Sequence, residues 1–456
     1  MRTVVKFGGL LAAVTCLGFV GTHSIGANAA STAKIVTEDY MPEPMPPGFQ
    51  VVGTDTQGPL FADAQGKSLY IWRSVPLRQG HVGEDPGNPS CNDEHLTMSD
   101  GQYSIYGPAL LPEVDKRPTC TTAWPPVLAP ADAKPVGKWS IVNRKDGSKQ
   151  WAYENYAVYN SFLDQRPGDV NGGKRATPPR QVNVGEPARE AIAPASAVPP
   201  GFDVTSTSTG RLLTTDKGFT VYTWDKDPAG KSKCDGACAE TWRPIIASAF
   251  AQPQAGWSTV ERAPGVKQWV FRGKPLYTYQ LDREIRGLDG QDEPGWHAAY
   301  TQMAPSPPPE FTTRDTLAGT VLADHDGKTI YTYWCYEDAL DQQLCDHPNA
   351  PQAYRLAICG ADDAERCLQY WPPVRAPKDA VVTSKVWGIA YIDPKSGHFA
   401  KADQAGAWKV WTYRGRPIYT YTREKSGEVL GDEFGEHDQN RNAFKAFYMQ
   451  SLNSYR

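Results

Sequence analysis

The sequence predicts an all-β protein made of three tandem repeat domains of short antiparallel hairpins, each stapled by disulfides. One phrase occurs three times, as GPLFADAQGKSLYIW from Gly58, GRLLTTDKGFTVYTW from Gly210 and GTVLADHDGKTIYTY from Gly319. A Cys-x-x-x-Trp-x-Pro motif follows each copy. The 41 glycines and 39 prolines among 456 residues suit many short strands joined by turns. Such self-similarity is the signature of a repeat architecture.

Residues 1–29 precede the repeats and predict a cleaved secretory signal peptide. Arg2 and Lys6 form a charged start, an apolar run follows, and Ala27-Asn28-Ala29 is a cleavage motif. The apolar run is shorter than the ~20 residues that span a bilayer. The residues before Cys16 are a poor lipidation signal. We therefore expect a secreted or periplasmic protein with no transmembrane span in the mature chain and no lipid anchor.

Proline-rich joints divide the rest of the chain. Proline at this density favours extended, semi-rigid spacers. We therefore predict repeat domain 1 at 46–173, a linker at 174–198, repeat domain 2 at 199–303, a linker at 304–309 and repeat domain 3 at 310–456.

Within each domain, alternating β-branched and aromatic residues predict strands. Thr220 to Trp224 alternates in this way after Lys217-Gly218, a turn signal because Gly tolerates positive φ. We expect the repeated phrase to form a hairpin. A second hairpin is predicted at Arg272-Gly273-Lys274-Pro275 and at Arg414-Gly415-Arg416-Pro417, whereas the first domain has lost this Gly and Pro. A short helix is predicted at each Cys-x-x-x-Trp motif, ended by the prolines that follow.

Eight cysteines follow the signal peptide, and an even number falls in each domain. In an exported chain this distribution favours disulfides within domains. Metal ligation is the competing interpretation, although Cys-x-x-x-Cys is not the usual zinc spacing and no His recurs beside it. The predicted disulfide cysteines are Cys91, Cys120, Cys234, Cys238, Cys335, Cys345, Cys359 and Cys367.

Several strands end in a Tyr-x-aromatic-x-x-Asp motif. The full matches are Tyr222, Trp224, Asp227 and Tyr277, Tyr279, Asp282, while Tyr419 and Tyr421 are followed by Glu424 and Tyr70 has no acid at the expected place. Together with the Cys-x-x-x-Trp-x-Pro, Gln-Trp and Gly-x-Pro-Leu-Tyr motifs, this pattern resembles the bacterial secreted repeat of unknown function. That family is also described as predicted lipoproteins with a Yx(FWY)xxD motif. The resemblance implies export and a repeated β domain, and it implies no established activity.

The recurring acids have two interpretations. An acid just past a strand end commonly caps a turn or accepts backbone N–H bonds. Alternatively, the acid- and glycine-rich loops after each second hairpin supply oxygen ligands of the kind calcium needs. The calcium candidates are Asp164, Asp169, Asp282, Asp289 and Asp292. No other cofactor is predicted.

The aromatic residues also have two interpretations. Trp124, Trp242 and Trp371 recur beside a cysteine and are expected to pack on the disulfide in the core. The remaining strand Tyr and Trp residues offer a possible exposed row for sugar rings or a protein partner.

No catalytic constellation recurs in the three copies. The histidines lie at unrelated positions, and the chain has no Gly-x-Ser-x-Gly, phosphate loop or His-Glu-x-x-His. The formal net charge of −4 weighs against nucleic acid. We predict a non-enzymatic β-repeat protein that binds an envelope protein or glycan. Two alternatives stay open: a carbohydrate-binding module using exposed aromatics, and a redox or metal-handling accessory. Function is expected where the copies differ, above all between Cys335 and Cys367.

Overall fold

A computed structural model describes residues 38–77, 80–95, 118–173, 178–179, 189–334, 363–382, 384–432, 434–435 and 443–451. The predicted signal peptide and the cysteines Cys335, Cys345 and Cys359 lie outside these residues. All of these described residues belong to one compact unit. Within the described ranges, none of the helices combines the length and apolarity that a membrane crossing requires.

Antiparallel strands dominate the described chain, which confirms the all-β class. The first segment, residues 46–192, contains β1 (Gln50–Gly53), β2 (Pro59–Ala62), β3 (Tyr70–Ile71), β4 (Val75–Leu77), β5 (Gly80–Val82), β6 (Trp139–Asn143), β7 (Lys149–Tyr153), β8 (Tyr156–Ala157) and β9 (Glu190–Ala191). The second segment, residues 198–303, contains β10 (Phe202–Thr207), β11 (Gly210–Thr215), β12 (Val221–Trp224), β13 (Trp242–Pro244), β14 (Ile246–Ala247), β15 (Trp257–Ala263), β16 (Val266–Phe271), β17 (Lys274–Pro275), β18 (Tyr277–Tyr279), β19 (Trp296–Ala298) and β20 (Tyr300–Met303). The third segment, residues 310–451, contains β21 (Thr312–Thr316), β22 (Gly319–Ala323), β23 (Tyr331–Trp334), β24 (Trp387–Ile392), β25 (Trp408–Tyr413), β26 (Arg416–Tyr419), β27 (Phe434–Gly435), β28 (Ala443–Ala446) and β29 (Tyr448–Ser451).

Short helices form where the Cys-x-x-x-Trp motifs predict them. They are α1 (Cys120–Ala123), α2 (Ala237–Thr241) and α3 (Ala364–Tyr370), and a 3-10 helix covers Asp289–Asp292. Each α-helix ends at the motif tryptophan, whose backbone N–H donates to the carbonyl of the motif cysteine. The prolines after the tryptophan cannot continue the helix.

The same strand arrangement surrounds the first motif tyrosine of each segment. Tyr222 on β12 lies opposite Tyr277 on β18 and, on its other side, Ala298 on β19. In the third segment, Tyr331 on β23 lies opposite residues of β26 and β28 in the same way. In the first segment, Tyr70 forms the corresponding bridges to a residue of the second hairpin and to β9. This shared register sets the geometry of the site described below.

The repeated phrase forms the hairpin turn that its pattern predicts, but in the second segment its two strands pair only briefly. Strands β11 and β12 meet in one bridge, Thr214 with Thr220, and then enter different sheets. The reason is that β10 and β20 already occupy the two edges of β11 around Leu212. Strand β12 therefore pairs with β18 and β19 instead.

The second hairpins form as predicted, with β16 pairing β17 and β25 pairing β26. Their turns begin with a residue at positive φ, Arg272 at 48° and Arg414 at 49°, followed by Gly. Two successive positive φ values define the tight turn that suits strand twist. The first segment keeps the same turn without Gly, because Glu154 takes a φ of 49° and Asn155 a φ of 69°. Asn tolerates this left-handed conformation better than most residues.

The segments contact one another through buried polar side chains. Gln302 of the second segment donates to the carbonyl of Thr54 at 2.6 Å, and the neighbouring Asp55 accepts from the backbone N–H of Lys385 in the third segment at 2.6 Å. Strand β9 lies inside the predicted linker 174–198 but pairs with β3 of the first segment. The other domain boundaries and the count of three repeats stay predictions.

Candidate functional site

The two Tyr-x-aromatic-x-x-Asp motifs of the second segment exchange their acids. Tyr277 donates to Asp227 Oδ2 at 2.6 Å, and Tyr222 donates to both carboxylate oxygens of Asp282 at 3.0 Å. The exchange follows from the register, because the two tyrosines lie opposite each other on β12 and β18. All four side chains are buried. The motifs therefore form internal hydrogen bonds that tie the ends of adjacent strands together.

The first segment contains the same reciprocal pair with one acid from an unexpected position. Tyr70 donates to Asp164 Oδ2 at 2.6 Å, and Tyr159 donates to Glu84 Oε1 at 2.7 Å. Glu84 also accepts from the backbone N–H of Cys91 at 3.2 Å. Sequence spacing does not reveal Glu84, because strands β4 and β5 separate it from the first motif.

The third segment uses a longer acid for the same contact. The Tyr331 hydroxyl donates to Glu424, which also accepts from the backbone N–H groups of Leu430 at 2.5 Å and Gly431 at 2.9 Å. The tyrosine-to-acid contact therefore recurs in all three segments, with Asp or Glu as the acceptor.

Burial dominates the electrostatics of Asp164, Glu424 and Tyr70. It raises the pKa of Asp164 to about 7, although the hydrogen bonds from Tyr70 and from the backbone of Asn171 act in the opposite direction. Burial likewise raises the pKa of Glu424. The pKa of Tyr70 lies well above its ordinary value, through burial first and through the Asp164 carboxylate second. These acids serve as buried acceptors.

Asp164 makes stability depend on pH. Its pKa is about 7 when folded against an ordinary value of 3.8, so the folded state binds the proton more tightly. The stabilisation from protonated Asp164 is complete below that ordinary value and is lost as the pH rises to about 7. Asp164→Asn should flatten this decline when denaturant midpoints are measured across the window. If the denaturant midpoint fell equally steeply with pH in the variant and the wild type, the raised pKa of Asp164 would be contradicted.

The motif tryptophan of the second segment lies in an aromatic stack. The Trp242 ring stacks on Tyr279 at 4.2 Å and on Trp296 at 3.7 Å between centroids, and Trp296 stacks on Trp224 at 5.0 Å. Trp224 is half-buried and the other three rings are buried. These residues therefore do not form the exposed row on which the carbohydrate alternative depends.

The third segment repeats this stack with different rings. Trp371 lies between Tyr421 at 4.4 Å and Phe444 at 3.7 Å. A glycine contacts the far edge of the motif tryptophan in both segments: a Cβ on Gly290 would lie 2.7 Å from Trp242, and a Cβ on Gly431 would lie 2.4 Å from Trp371. Only glycine fits there without a shift of the ring.

In the first segment a guanidinium takes the place that Trp296 has in the stack of the second segment. The register of β3 with β9 gives Arg189 the position that Trp296 has in the second segment. Its Cζ lies 4.4 Å from the ring centroids of both Trp72 and Trp124. Burial lowers the pKa of Arg189 to about 10, against the opposing charge of Glu84. The first segment thus replaces an aromatic stack with a buried cation–π sandwich.

A lysine substitution tests whether the planar guanidinium of Arg189 stabilises the fold by stacking. Lys keeps the charge but cannot stack flat between two indoles. We expect Arg189→Lys to lower the free energy of unfolding by about 1–2 kcal/mol. Arg73→Lys is the matched control, because Arg73 lies 5.1 Å from the Tyr156 ring but is 38 % exposed. Equal denaturant midpoints for the two variants would contradict the sandwich.

Two predicted disulfides are present, Cys91–Cys120 and Cys234–Cys238. Cys367 is also disulfide-bonded. An arginine that the sequence reasoning missed hydrogen-bonds to each of these two disulfide-bonded segments of chain. In the second segment, Arg262 Nη2 donates to the Cys234 carbonyl at 2.7 Å, and its Nη1 donates to Gln268 at 2.9 Å. In the first segment, Arg144 bonds the Cys91 carbonyl at 2.8 Å and Gln150 at 2.8 Å. The glutamine of the Gln-Trp motif therefore links the second hairpin to the disulfide.

Four calcium candidates accept hydrogen bonds from the protein. The donors are Tyr70 to Asp164 at 2.6 Å, the Arg166 N–H to Asp169 at 2.9 Å, Tyr222 to Asp282 at 3.0 Å and Arg283 to Asp289 at 3.2 Å. Asp292 lies in the 3-10 helix. Among the described residues, the group with metal-ligand spacing is instead Asp324, His325 and Asp326, in a turn of the third segment. Calcium stays a prediction.

A cavity of about 450 Å³ opens where the first and third segments meet. The first segment lines it with its 162–171 loop, and the third segment lines it with the 414–416 turn and with Val382, Lys385, Gly388, Ile389, Phe399 and Thr412. The charged side chains that line it are Arg166, Lys385, Arg414, Arg416 and Asp169. Sequence reasoning missed this site because its two walls lie far apart in the chain.

The cationic wall is held by backbone carbonyls. Arg416 Nη1 donates to the Asn171 carbonyl at 2.7 Å, and Arg414 Nη2 donates to the Val170 carbonyl. Lys385 Nζ donates to the Pro167 carbonyl. Asp169 pairs with Arg166 at 3.2 Å. The cavity is therefore a preorganised, basic junction between two segments.

The fold and these contacts define a disulfide-stapled β protein with a repeated tyrosine-to-acid core. The model of a family described as a secreted repeat of unknown function matches residues 203–246, which confirms the recognised resemblance over that stretch. The matched residues run from β10 through α2 to the start of β14. No curated protein and no solved structure matches the chain.

Proposed function

We propose that this is an exported, non-enzymatic β-repeat protein that binds a ligand at the cell envelope, in the cavity between its first and third segments. The family description supports export, and the predicted signal peptide at 1–29 supplies the route. The repeated motifs do not supply the activity, because their tyrosines and acids are buried against each other.

The cavity is the observation that carries the proposal. It lies where the copies differ: the basic turn of the third segment is buried there by a loop of the first, with Arg414 only 2 % exposed. At the corresponding turn of the second segment, Arg272 is exposed. Concave sites of roughly 300–1,000 Å³ with a few placed polar groups are typical of small-molecule binding.

Purification from the native host tests the proposal. The exported protein is isolated, its N-terminus is sequenced, and co-purifying small molecules are identified by mass spectrometry. Val382→Trp fills the cavity wall, whereas Val381→Trp is the matched control because Val381 is 68 % exposed. We expect a bound species that Val382→Trp loses and Val381→Trp retains. The same bound species at the same level in both variants, or none in the wild type, would overturn the proposal.

A further inference from the structure

We propose that the Cys234–Cys238 disulfide is a thiol–disulfide exchange site, which an exported dithiol protein reduces by attack on Cys238. The proposal is independent of the cavity between the first and third segments. The two sulfur-bearing residues differ in accessibility, because Cys234 is 0 % exposed whereas Cys238 is half-buried. An incoming thiolate therefore reaches Cys238 first, since exchange requires access to the attacked sulfur.

The chain beside Cys238 is open to a partner. Asp235, Gly236 and Ala237, the three residues between the two cysteines, are all exposed. A Cβ on Gly236 would have nothing within 4 Å. The loop therefore leaves space for a protein partner next to the disulfide.

The motif cysteine is covered in the other two segments. Cys120 is 2 % exposed and Cys367 is 1 % exposed. In the first segment, Arg189 Nη2 donates to Cys120 Sγ at 3.4 Å, and the disulfide partner Cys91 is also 2 % exposed. The Cys91–Cys120 disulfide is thus buried at both ends and serves as an internal control in the same chain.

The two disulfides also close loops of different length. Cys234 and Cys238 are four residues apart, whereas Cys91 and Cys120 are 29 residues apart. In the chain-entropy model, a disulfide stabilises the folded state more when it closes a longer loop. By thermodynamic linkage, folding favours the oxidised form less strongly for the short loop. We therefore expect Cys234–Cys238 to be the more easily reduced of the two.

Hydrogen bonds hold Cys234 in place independently of the sulfur–sulfur bond. Arg262 Nη2 donates to the Cys234 carbonyl at 2.7 Å and to Asp235 Oδ1 at 2.6 Å. The backbone N–H of Lys233 donates to Asp227 at 2.7 Å. These bonds keep the two thiols close together after reduction, so the disulfide can form again.

The exchange is a balanced two-electron transfer. One thiolate of the partner attacks Cys238 Sγ, a new sulfur–sulfur bond forms, and the Cys234–Cys238 bond breaks with its electron pair on Cys234 Sγ. The second thiolate of the partner then attacks the partner's sulfur in the mixed disulfide and releases the Cys238 thiolate. The partner's dithiol becomes a disulfide, and its two protons pass to Cys234 and Cys238. A monothiol lacks the second step, so the Cys234 thiolate re-forms the original bond.

Timed reduction of the full mature chain tests the proposal. The oxidised protein is treated with dithiothreitol and quenched with acid. Free thiols are alkylated after denaturation and located by peptide mass spectrometry. We expect Cys234–Cys238 to be reduced at least about tenfold faster than Cys91–Cys120, because only the former has an accessible sulfur. Equal rates, or faster reduction of Cys91–Cys120, would overturn the proposal.

Two further thiols identify the attacked sulfur and the kind of partner. Glutathione, a monothiol, should leave an acid-trapped adduct on Cys238; an adduct on Cys234, or none on Cys238, would contradict the direction of attack. Reduced thioredoxin, a protein dithiol, should reduce Cys234–Cys238 and leave Cys91–Cys120 intact. Reduction by dithiothreitol but not by thioredoxin would overturn the protein partner and restrict the site to small thiols.

Paired serine variants separate an exchange site from a structural staple. Cys234→Ser combined with Cys238→Ser should lower the denaturant midpoint less than Cys91→Ser combined with Cys120→Ser, because the shorter loop contributes less stability. If removal of Cys234–Cys238 lowered the midpoint as much or more, this disulfide would be a structural staple and the proposal would fail.

Discussion

Glu38→Gln should lower the free energy of unfolding by about 3–5 kcal/mol, because it leaves Arg211 as an uncompensated charge. The Glu38 carboxylate is 1 % exposed and contacts Arg211 at 2.5 and 2.9 Å. The hydroxyls of Thr301 and Ser196 donate to the same carboxylate at 2.6 and 2.7 Å. This cluster fastens the start of the described chain to the second segment.

The pH dependence of this cluster has the opposite sign to that of Asp164. Burial alone would raise the pKa of Glu38, but the hydrogen bonds and charge of Arg211, with the two hydroxyls, lower it below the ordinary value of 4.5. The stability it contributes is present above that value and is lost as the pH falls through the folded pKa.

Denaturant unfolding near neutral pH measures the effect of Glu38→Gln. Glu154→Gln is the matched control, because Glu154 pairs with Arg73 at 2.8 Å with both side chains more than a third exposed. An exposed pair contributes about 0–1 kcal/mol. If the two variants lost similar amounts of unfolding free energy, the strong stabilisation assigned to the buried Glu38 cluster would be contradicted.

Trp242→Ala should cost about 3–5 kcal/mol, because it empties the centre of the aromatic stack of the second segment. The ring is 5 % exposed and lies between Tyr279 and Trp296. Phe250→Ala is the control, since Phe250 is 87 % exposed and its loss should change stability by less than about 0.5 kcal/mol. A loss below about 1 kcal/mol for Trp242→Ala would contradict the stack.

The sequence predicts the local features of this fold well and the long-range ones poorly. The Arg-Gly turns, the short helices and two disulfides follow from local chemistry: turn conformation, proline positions and cysteine parity. The short pairing of β11 with β12 does not follow from local chemistry, because β10 and β20 pair with the two edges of β11 around Leu212.

The long-range contacts of the candidate site were equally hard to predict from the sequence. The spacing of Asp227 and Asp282 marks them as members of a motif, but it does not reveal that each bonds the tyrosine of the other motif. Glu84 and Arg189 carry no motif at all, because they fill places that other residue types occupy in the second segment. The basic cavity combines residues more than 200 positions apart, beyond the reach of any local pattern.

A double-mutant cycle on Tyr277 and Asp227 tests most directly whether the repeated motif builds the core. Tyr277→Phe, Asp227→Asn and the double variant are compared by denaturant unfolding. A buried bond from a tyrosine to a carboxylate predicts a coupling energy of about 1.5 kcal/mol. Additive effects, with a coupling near zero, would mean that the motif residues act independently, and they would contradict the assignment of the repeated motif to the core.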